Sequence, residues 1–355
     1  MTTTYSSEFI FPLGKLHSHS SSIVEFPRGQ LLVCWYIGSG ERKADDVRIM
    51  GATKPLKGGA WSRPFVLADT PGFPDTNCVL AVNGDGKLWL FYGMQLDNNW
   101  ENTLLKYKVG RKIGQWDDMG VVPLKPDDSV FPAEVRAKLP QVLAAYPELE
   151  QYRAELLAMA DNKLKRRMGW MGRCKPLIEG KRMLLPLYSD GYNFSLVAIT
   201  DDGGATWTCS KPMIGAGAVQ PALIRRNDGT LIAFCRNNGP APHRILVSES
   251  KDNGITWSVA MPNTLLNPGS SVDILKLKDS RWLLCCNDTE EGRHQLALSY
   301  SDDEGKTWTG TIHLDDSEKA SKSYPSLLQA SDGSIHITYS FSATGGEAIR
   351  HARLS

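Results

Sequence analysis

Arg236, Arg293, Tyr324 and His19 are the residues of this chain whose types could do chemistry together, provided folding gathers them. Paired guanidiniums suit bidentate capture of a carboxylate. A phenol can attack as a nucleophile, and an imidazole can take a proton near neutrality. Each also has a plainer reading when taken alone: the arginines as surface charges, Tyr324 as a packed strand residue, His17 and His19 as hydrogen-bond partners of loop backbone. The neighbouring Asp45 and Asp46 either cap a turn or aim one carboxylate inward. The choice depends on where the backbone carries them.

The elements that must position these residues announce themselves as repeats. Three stretches, at 200–207, 250–257 and 301–308, share the pattern Ser/Thr-x-Asp-x-Gly-x-Thr-Trp, and Trp207, Trp257 and Trp308 fall 50 and 51 residues apart. Self-similarity at that period means a stacked or radial array of one supersecondary unit. In each copy the Asp and the hydroxyl residue can bond N–H groups of a tight turn, the Gly supplies a left-handed backbone, and the Trp anchors the turn on a sheet. Asp202, Asp252 and Asp303 are therefore structural despite their acidity.

A second repeat underlies the first. Turns at Gly29, Gly86, Gly180, Gly229, Ser280 and Gly333 each follow one short apolar strand and lead into another, stepping by 57, 94, 49, 51 and 53 residues. Six hairpins at this period predict an all-β fold, a six-bladed β-propeller spanning 1–355 as a single domain. The short apolar segments at 9–13 and 348–354 are expected to close the ring, the N-terminal strand completing the last blade so that no edge stays open. The 94-residue step is too long by about 40 residues for one blade. There, 126–168 switches to helical period and propensity, with Pro140 and Pro147 restarting the helix. The insertion falls between the outer strand of the second blade and the inner strand of the third. That position makes it a helical lid beside the site, or else a surface decoration.

Counting back nine or ten residues from each turn finds where each inner strand begins. The positions are His19, Asn77, Gln220, Ser271 and Tyr324, with Arg173 or Lys175 in the shortened third hairpin. Six inner strands converge on one axis, so these side chains should ring one concave pocket. Arg236 and Arg293, at strand ends around the same axis, then make a carboxylate clamp.

Bulk properties narrow the partners. Apolar residues make up 41% of the chain, enough for a sizeable core, and a formal net charge of +1 gives no sign of nucleic acid or membrane as partner. No stretch approaches ~20 apolar residues, and the first residues lack the basic and apolar regions of a leader. Seven cysteines, several within apolar strand patterns, read as small buried hydrophobes in a reducing compartment, so a cytoplasmic location is expected. No Cys/His spacing suggests a metal, and no cofactor is expected. The sequence carries no signal of oligomeric state.

The Asp-containing turns, the six blades and the placement of the ring residues resemble the sialidase (neuraminidase) superfamily with BNR, or Asp-box, repeats. The resemblance covers nearly the whole chain apart from the helical insertion. The first blade, His19-Ser-Ser-Ser-Ile-Val-Glu25, is similar to that of a bacterial and fungal sialidase-like branch. Such enzymes bind a sugar carboxylate with three arginines, attack with a Tyr activated by Glu, and use an Asp as acid/base. By that resemblance Tyr324, in a Ser-Tyr-Pro-Ser run, stands as nucleophile, Arg236 and Arg293 as clamp arginines, and Asp45 or Asp46 as the acid. The chain departs from the pattern twice: His19 stands where the first arginine would be, and Gln220 where the activating Glu would be. A Gln takes no proton, so Tyr324 needs another base, for which His19 is a candidate, while Arg173 can replace the missing arginine. Asn77 and Lys175 complete the substrate-binding ring. The resemblance implies an exo-acting glycoside hydrolase that removes a terminal acidic sugar, sialic acid-like or uronic, from an acidic oligosaccharide. The alternatives are a lyase acting on a uronate-containing glycan, which needs only a base and an arginine, and a non-catalytic glycan-binding propeller.

Overall fold

Six antiparallel sheets stand in a closed ring. The computed structural model describes residues 5–315, 317 and 319–354; residues 1–4, on which part of the leader argument rests, lie outside them. The inner strands of the blades are His17–Glu25, Asp75–Val82, Met171–Gly172 with Leu177–Glu179, Ala218–Arg225, Asp273–Lys276 and Ser321–Gln329. Neighbouring blades touch in order around the axis, the third meeting the inner strand of the fourth through Arg182–Ser189, and the first inner strand meets the last. The blades pack through buried aliphatic and aromatic faces, as in the cluster of Leu32, Tyr36, Leu80 and Leu90 between the first two. The inner strand of the third blade is broken at 173–176, where Pro176 has no N–H to give to a ladder.

The predicted turns form as the sequence dictates. Asp202 Oδ1 accepts from the Thr206 N–H at 2.9 Å and from the Thr200 hydroxyl at 2.8 Å, while Trp207 Nε1 donates to the Gly204 carbonyl at 3.1 Å. Asp252 and Asp303 repeat these bonds with Thr256 and Thr307. Gly204 and Gly305 have φ of +101° and +84°, and a Cβ on either would lie 2.4 or 2.9 Å from the ring of Trp89 or Trp282. Glycine is required at both for two reasons, backbone hand and room for an indole, from the neighbouring blade at Gly204 and from its own blade at Gly305.

Four inner strands share a device that periodicity does not disclose. Each carries a β-bulge whose first extra residue is left-handed and not glycine: Ser20, Asn77, Gln220 and Tyr324, with φ from 50° to 59°. Such bulges re-aim a side chain, and non-glycine residues there are strained. Counting back from the first turn therefore lands one residue early. Ser20, and not His19, is the counterpart of Tyr324.

Two element boundaries differ from expectation. The strand that closes the last blade is Tyr5–Phe9, paired from Tyr5↔Leu354 to Phe9↔Arg350, rather than 9–13. Pro12 cannot donate to a ladder, and Phe11 is drawn instead onto Trp35, stacked at 4.8 Å. In the insertion Pro140 does not restart a helix but lies inside Val130–Ala145. Its cost of about 3 kcal/mol is offset by burial of Val135, Leu139, Val142 and Leu143 around it. A 3₁₀ turn, Pro147–Tyr152, and the helices Arg153–Asp161 and Lys163–Arg167 follow. Trp170, stacked on Tyr192 at 5.5 Å, and Phe131 at the edge of the same ring fasten the insertion to the third blade.

Candidate active site

Tyr324 sits on its bulge at the mouth of the ring, buried to 9% exposure, and the cations converge on it. Arg236, near the end of the strand Leu231–Asn237, donates from Nη1 to the Tyr324 hydroxyl at 2.9 Å and from Nη2 to Asn238 Oδ1 at 3.0 Å. Arg293 arrives on the loop between Trp282–Asn287 and Leu296–Ser301; its guanidinium lies 5.5 Å from the phenol ring centre, held by the Gly269 carbonyl at 3.0 Å. Arg173 lies 5.1 Å from the same ring. It differs from the other two, because it is buried and gives Nη1 to the Ser21 carbonyl and Nη2 to the Pro325 carbonyl. Arg173 thus ties two inner strands together beside the phenol.

These charges set the proton chemistry. Burial pushes the Tyr324 phenol up, but the guanidiniums of Arg236 and Arg293 and the Gln220 side chain outweigh it, so its pKa stands below that of an ordinary tyrosine. His19 packs edge-on against Tyr324 with ring centres 4.1 Å apart. Burial, with the nearby Arg293 and Arg173, lowers its pKa to about 3, so the imidazole is neutral and only a weak base. The Gln220 side chain reaches the phenols of both Tyr324 and Tyr188, and its buried Oε1 has no partner among the described residues.

Other expected residues go elsewhere. Asp46 accepts from the Ser39 N–H at 2.8 Å and from the Ser39 hydroxyl at 2.5 Å, capping its own loop. Asp45 accepts from Asn98 Nδ2 at 2.8 Å on the surface. Neither is brought to the phenol. Lys175 points down the channel away from the mouth, among the Ile23 and Leu327 carbonyls and Ser326 Oγ, with Asp273 at 3.8 Å. Burial lowers its pKa, and its amine is engaged by those carbonyls. Asn77 donates to Met171 Sδ at 3.1 Å beside the broken third blade. Ser271 is fully buried in the ring.

Two carboxylates at the mouth were not singled out from sequence. Glu41 accepts from the Tyr36 hydroxyl and lies 3.3 Å from His17 Nε2, whose Nδ1 meets Glu347 at 2.9 Å. Burial would raise Glu41, but His17, His19 and Tyr36 hold it down at about 2. His17 is raised to about 10 by Glu347 and Glu41 against its own burial, so it is an imidazolium and not a partner of loop backbone. A signal for Glu41 existed. The register His19↔Tyr36 and His17↔Gly38 sets three titratable rings at one hairpin end, which calls for a counter-charge, and Glu41 is the first carboxylate after Tyr36. Asp190, following Arg182–Ser189, is raised above an ordinary aspartate by burial, which Arg42 and Arg236 only partly offset. It lies in a Ser-Asp-Gly turn, and nothing in sequence separates it from any other turn aspartate.

With this geometry in view, the chain's relatives can be placed. Residues 160–337 match the BNR repeat-like domain, so the chain belongs to that family, and its fold is the sialidase propeller. A protein of unknown function from Dyadobacter fermentans superposes with a TM-score of 0.72 at 16% identity, over 98% of this chain and 97% of that one. The NanB sialidase of Streptococcus pneumoniae gives 0.72 at 12% identity, over 98% and 70%. The intramolecular trans-sialidase of Ruminococcus gnavus gives 0.68 at 13%, over 96% and 94%. No curated protein sequence matches.

Proposed function

We propose that this propeller is an exo-acting glycoside hydrolase that removes a terminal, carboxylate-bearing sugar from an oligosaccharide. The observation that carries the proposal is the convergence of Arg236 and Arg293 on the Tyr324 phenol at the mouth of the ring. The two guanidiniums bind the sugar carboxylate and stabilise the phenolate. Tyr324 Oη then attacks the anomeric carbon as the glycosidic C–O bond breaks, and the leaving oxygen takes the proton of Asp190, whose raised pKa suits an acid. In the second half water attacks the same carbon, Asp190 takes the water's proton, and the phenolate departs. Gln220 in place of a base is tolerable here because the cations, rather than a carboxylate, make the phenol acidic.

The test is a panel of sialosides and uronides with release of free sugar as readout. Tyr324→Phe should lower kcat by ~10³-fold or more. Full activity in that variant, or no turnover by the wild-type chain on any member, overturns the proposal.

One observation favours a second reading. The Tyr324 phenolate, favoured by Arg236 and Arg293, could take the proton α to a uronate carboxylate while the arginines neutralise that carboxylate. The β C–O bond then breaks, its oxygen takes a proton from Asp190, and no water is consumed. Products separate the two: a lyase leaves an unsaturated uronate absorbing in the near ultraviolet, whereas a hydrolase does not.

A further inference from the structure

We propose that the cavity between the helical insertion and the third and fourth blades binds the leaving group, and that it selects an uncharged aglycone with an aryl or alkyl portion. The inference rests on the hydrolase reading above. The cavity measures about 580 Å³, the size of a small-molecule site. Its inner end is formed by Asp190 and Asn238. Asn238 accepts from Arg236, the same guanidinium that bonds the Tyr324 hydroxyl, so the cavity opens where the departing oxygen would lie.

Polarity changes along its length. Asn193 and Asn238, joined at 2.8 Å, line the inner part and suit the first hydroxyls of an aglycone. Leu139, Leu143, Leu149, Tyr152 and Leu156 of the insertion, with Ile214 from the blades, give the rest of the lining an apolar character. Tyr152 is 48% exposed, a large ring left uncovered at the outer end. Sugars with an apolar face, aryl groups and alkyl chains all stack on such a surface. Charge excludes the other class. The ionisable residues lining the cavity are Asp190, Glu148 and Glu155, and no lysine, arginine or histidine lines it among the described residues. A second acidic sugar would meet the carboxylates of Glu148 and Glu155, and of the three acids only Asp190 has a cation, Arg42 at 3.4 Å, beside it among the described residues. The insertion therefore does more than cover a blade: it builds half of a subsite beside the clamp.

The full chain is assayed with one acidic sugar carried on methyl, butyl and octyl aglycones, whose leaving-group acidities are alike, and on an anionic disaccharide. kcat/KM should climb by about fourfold per buried methylene until the cavity fills, and the anionic aglycone should fall below the methyl one. Tyr152→Ala and Leu156→Asp should flatten the alkyl series, with thermal unfolding confirming that both variants fold. A binding arm needs no turnover. Octyl glucoside, neutral and below its micelle concentration, should bind wild type and Tyr324→Phe alike and bind Leu156→Asp at least tenfold more weakly. A flat alkyl series with no octyl glucoside binding overturns the subsite and leaves the hydrolase standing. Binding of octyl glucoside without turnover of any glycoside sinks the hydrolase, and the cavity remains a site for an apolar ligand.

Discussion

A guanidinium that hydrogen-bonds a phenol does two jobs, since it holds the ring and it stabilises the phenolate. Arg236 is so placed, at 2.9 Å from the Tyr324 hydroxyl and tethered at its other nitrogen by Asn238. Arg236→Lys keeps the charge but loses the fork, and a lysine cannot serve both oxygens. The expected loss in kcat/KM is about 10- to 100-fold, as for one charge-assisted hydrogen bond. The sign for pH follows from the lowered phenol: weakening the cation lets its pKa rise, so the activity limb that needs phenolate should move to higher pH. A profile unmoved on the pH axis would show that Arg236 does not set the phenol. Glu41 and Asp46 give a paired test on the same loop. Glu41→Gln removes one of the two carboxylates that hold His17 and weakens the acceptor of Tyr36, and should cost at least ~10-fold in kcat/KM, whereas Asp46→Asn, at a side chain bonded to Ser39, should leave kinetics unchanged. Equal losses would show that the loop matters only as a loop. Tyr324, Gln220 and Arg173 were legible because strand counting reaches an inner strand from its turn. Glu41 and Asp190 lie on connections whose course no periodicity describes.

At the scale of elements, each Asp-containing turn is a closed hydrogen-bond set, and losing its centre strands several donors at once. Asp252 serves Ser250, the Thr256 N–H and the Thr256 hydroxyl, while the Trp257 indole donates to Gly254 one step away. Asp252→Ala should lower stability by about 1–3 kcal/mol in denaturant titration and leave the alkyl-glycoside preference intact, since the turn lies away from the mouth. A change in preference without a change in stability would contradict this division. The hairpins were legible because a turn glycine and an alternating apolar run are local facts. The bulges were not, because a left-handed Tyr324 or Gln220 is imposed by the ring around it against the residue's own preference. Pro140 teaches the same lesson from the opposite side. A local breaker was overruled by the burial of its neighbours.

Closing the ring is the one step that involves the whole molecule, and a line of titratable groups runs across the seam. His336 Nδ1 lies 2.9 Å from His351 Nε2 in the last blade, and His351 Nδ1 lies 3.0 Å from Glu8 of the N-terminal strand. Glu8 in turn accepts from Trp61 Nε1 at 3.1 Å and from Lys54 of the first blade. Ser334 meets the far nitrogen of His336, with Asp332 and Arg353 nearby. Burial, with His351 and Arg353, lowers His336 from 6.5 to about 4, while Glu8 is held down at about 2, mainly by His351 and Lys54. An unfolded chain would protonate His336 through pH 6.5, but the folded one resists until about 4, so the unfolded state binds more protons across that window. Stability contributed at the seam is therefore complete above pH 6.5 and falls as pH drops toward 4. The Glu8 contribution is complete above pH 4.5 and is lost only as pH falls through about 2. His336→Gln removes the first titration and keeps a donor and an acceptor in place. Between pH 7 and pH 5 the wild-type Tm should fall by a few degrees more than that of the variant. Parallel slopes for the two proteins would place the acid sensitivity elsewhere, and the seam would then be held by its strand pairing and by Phe11 on Trp35, not by its proton balance.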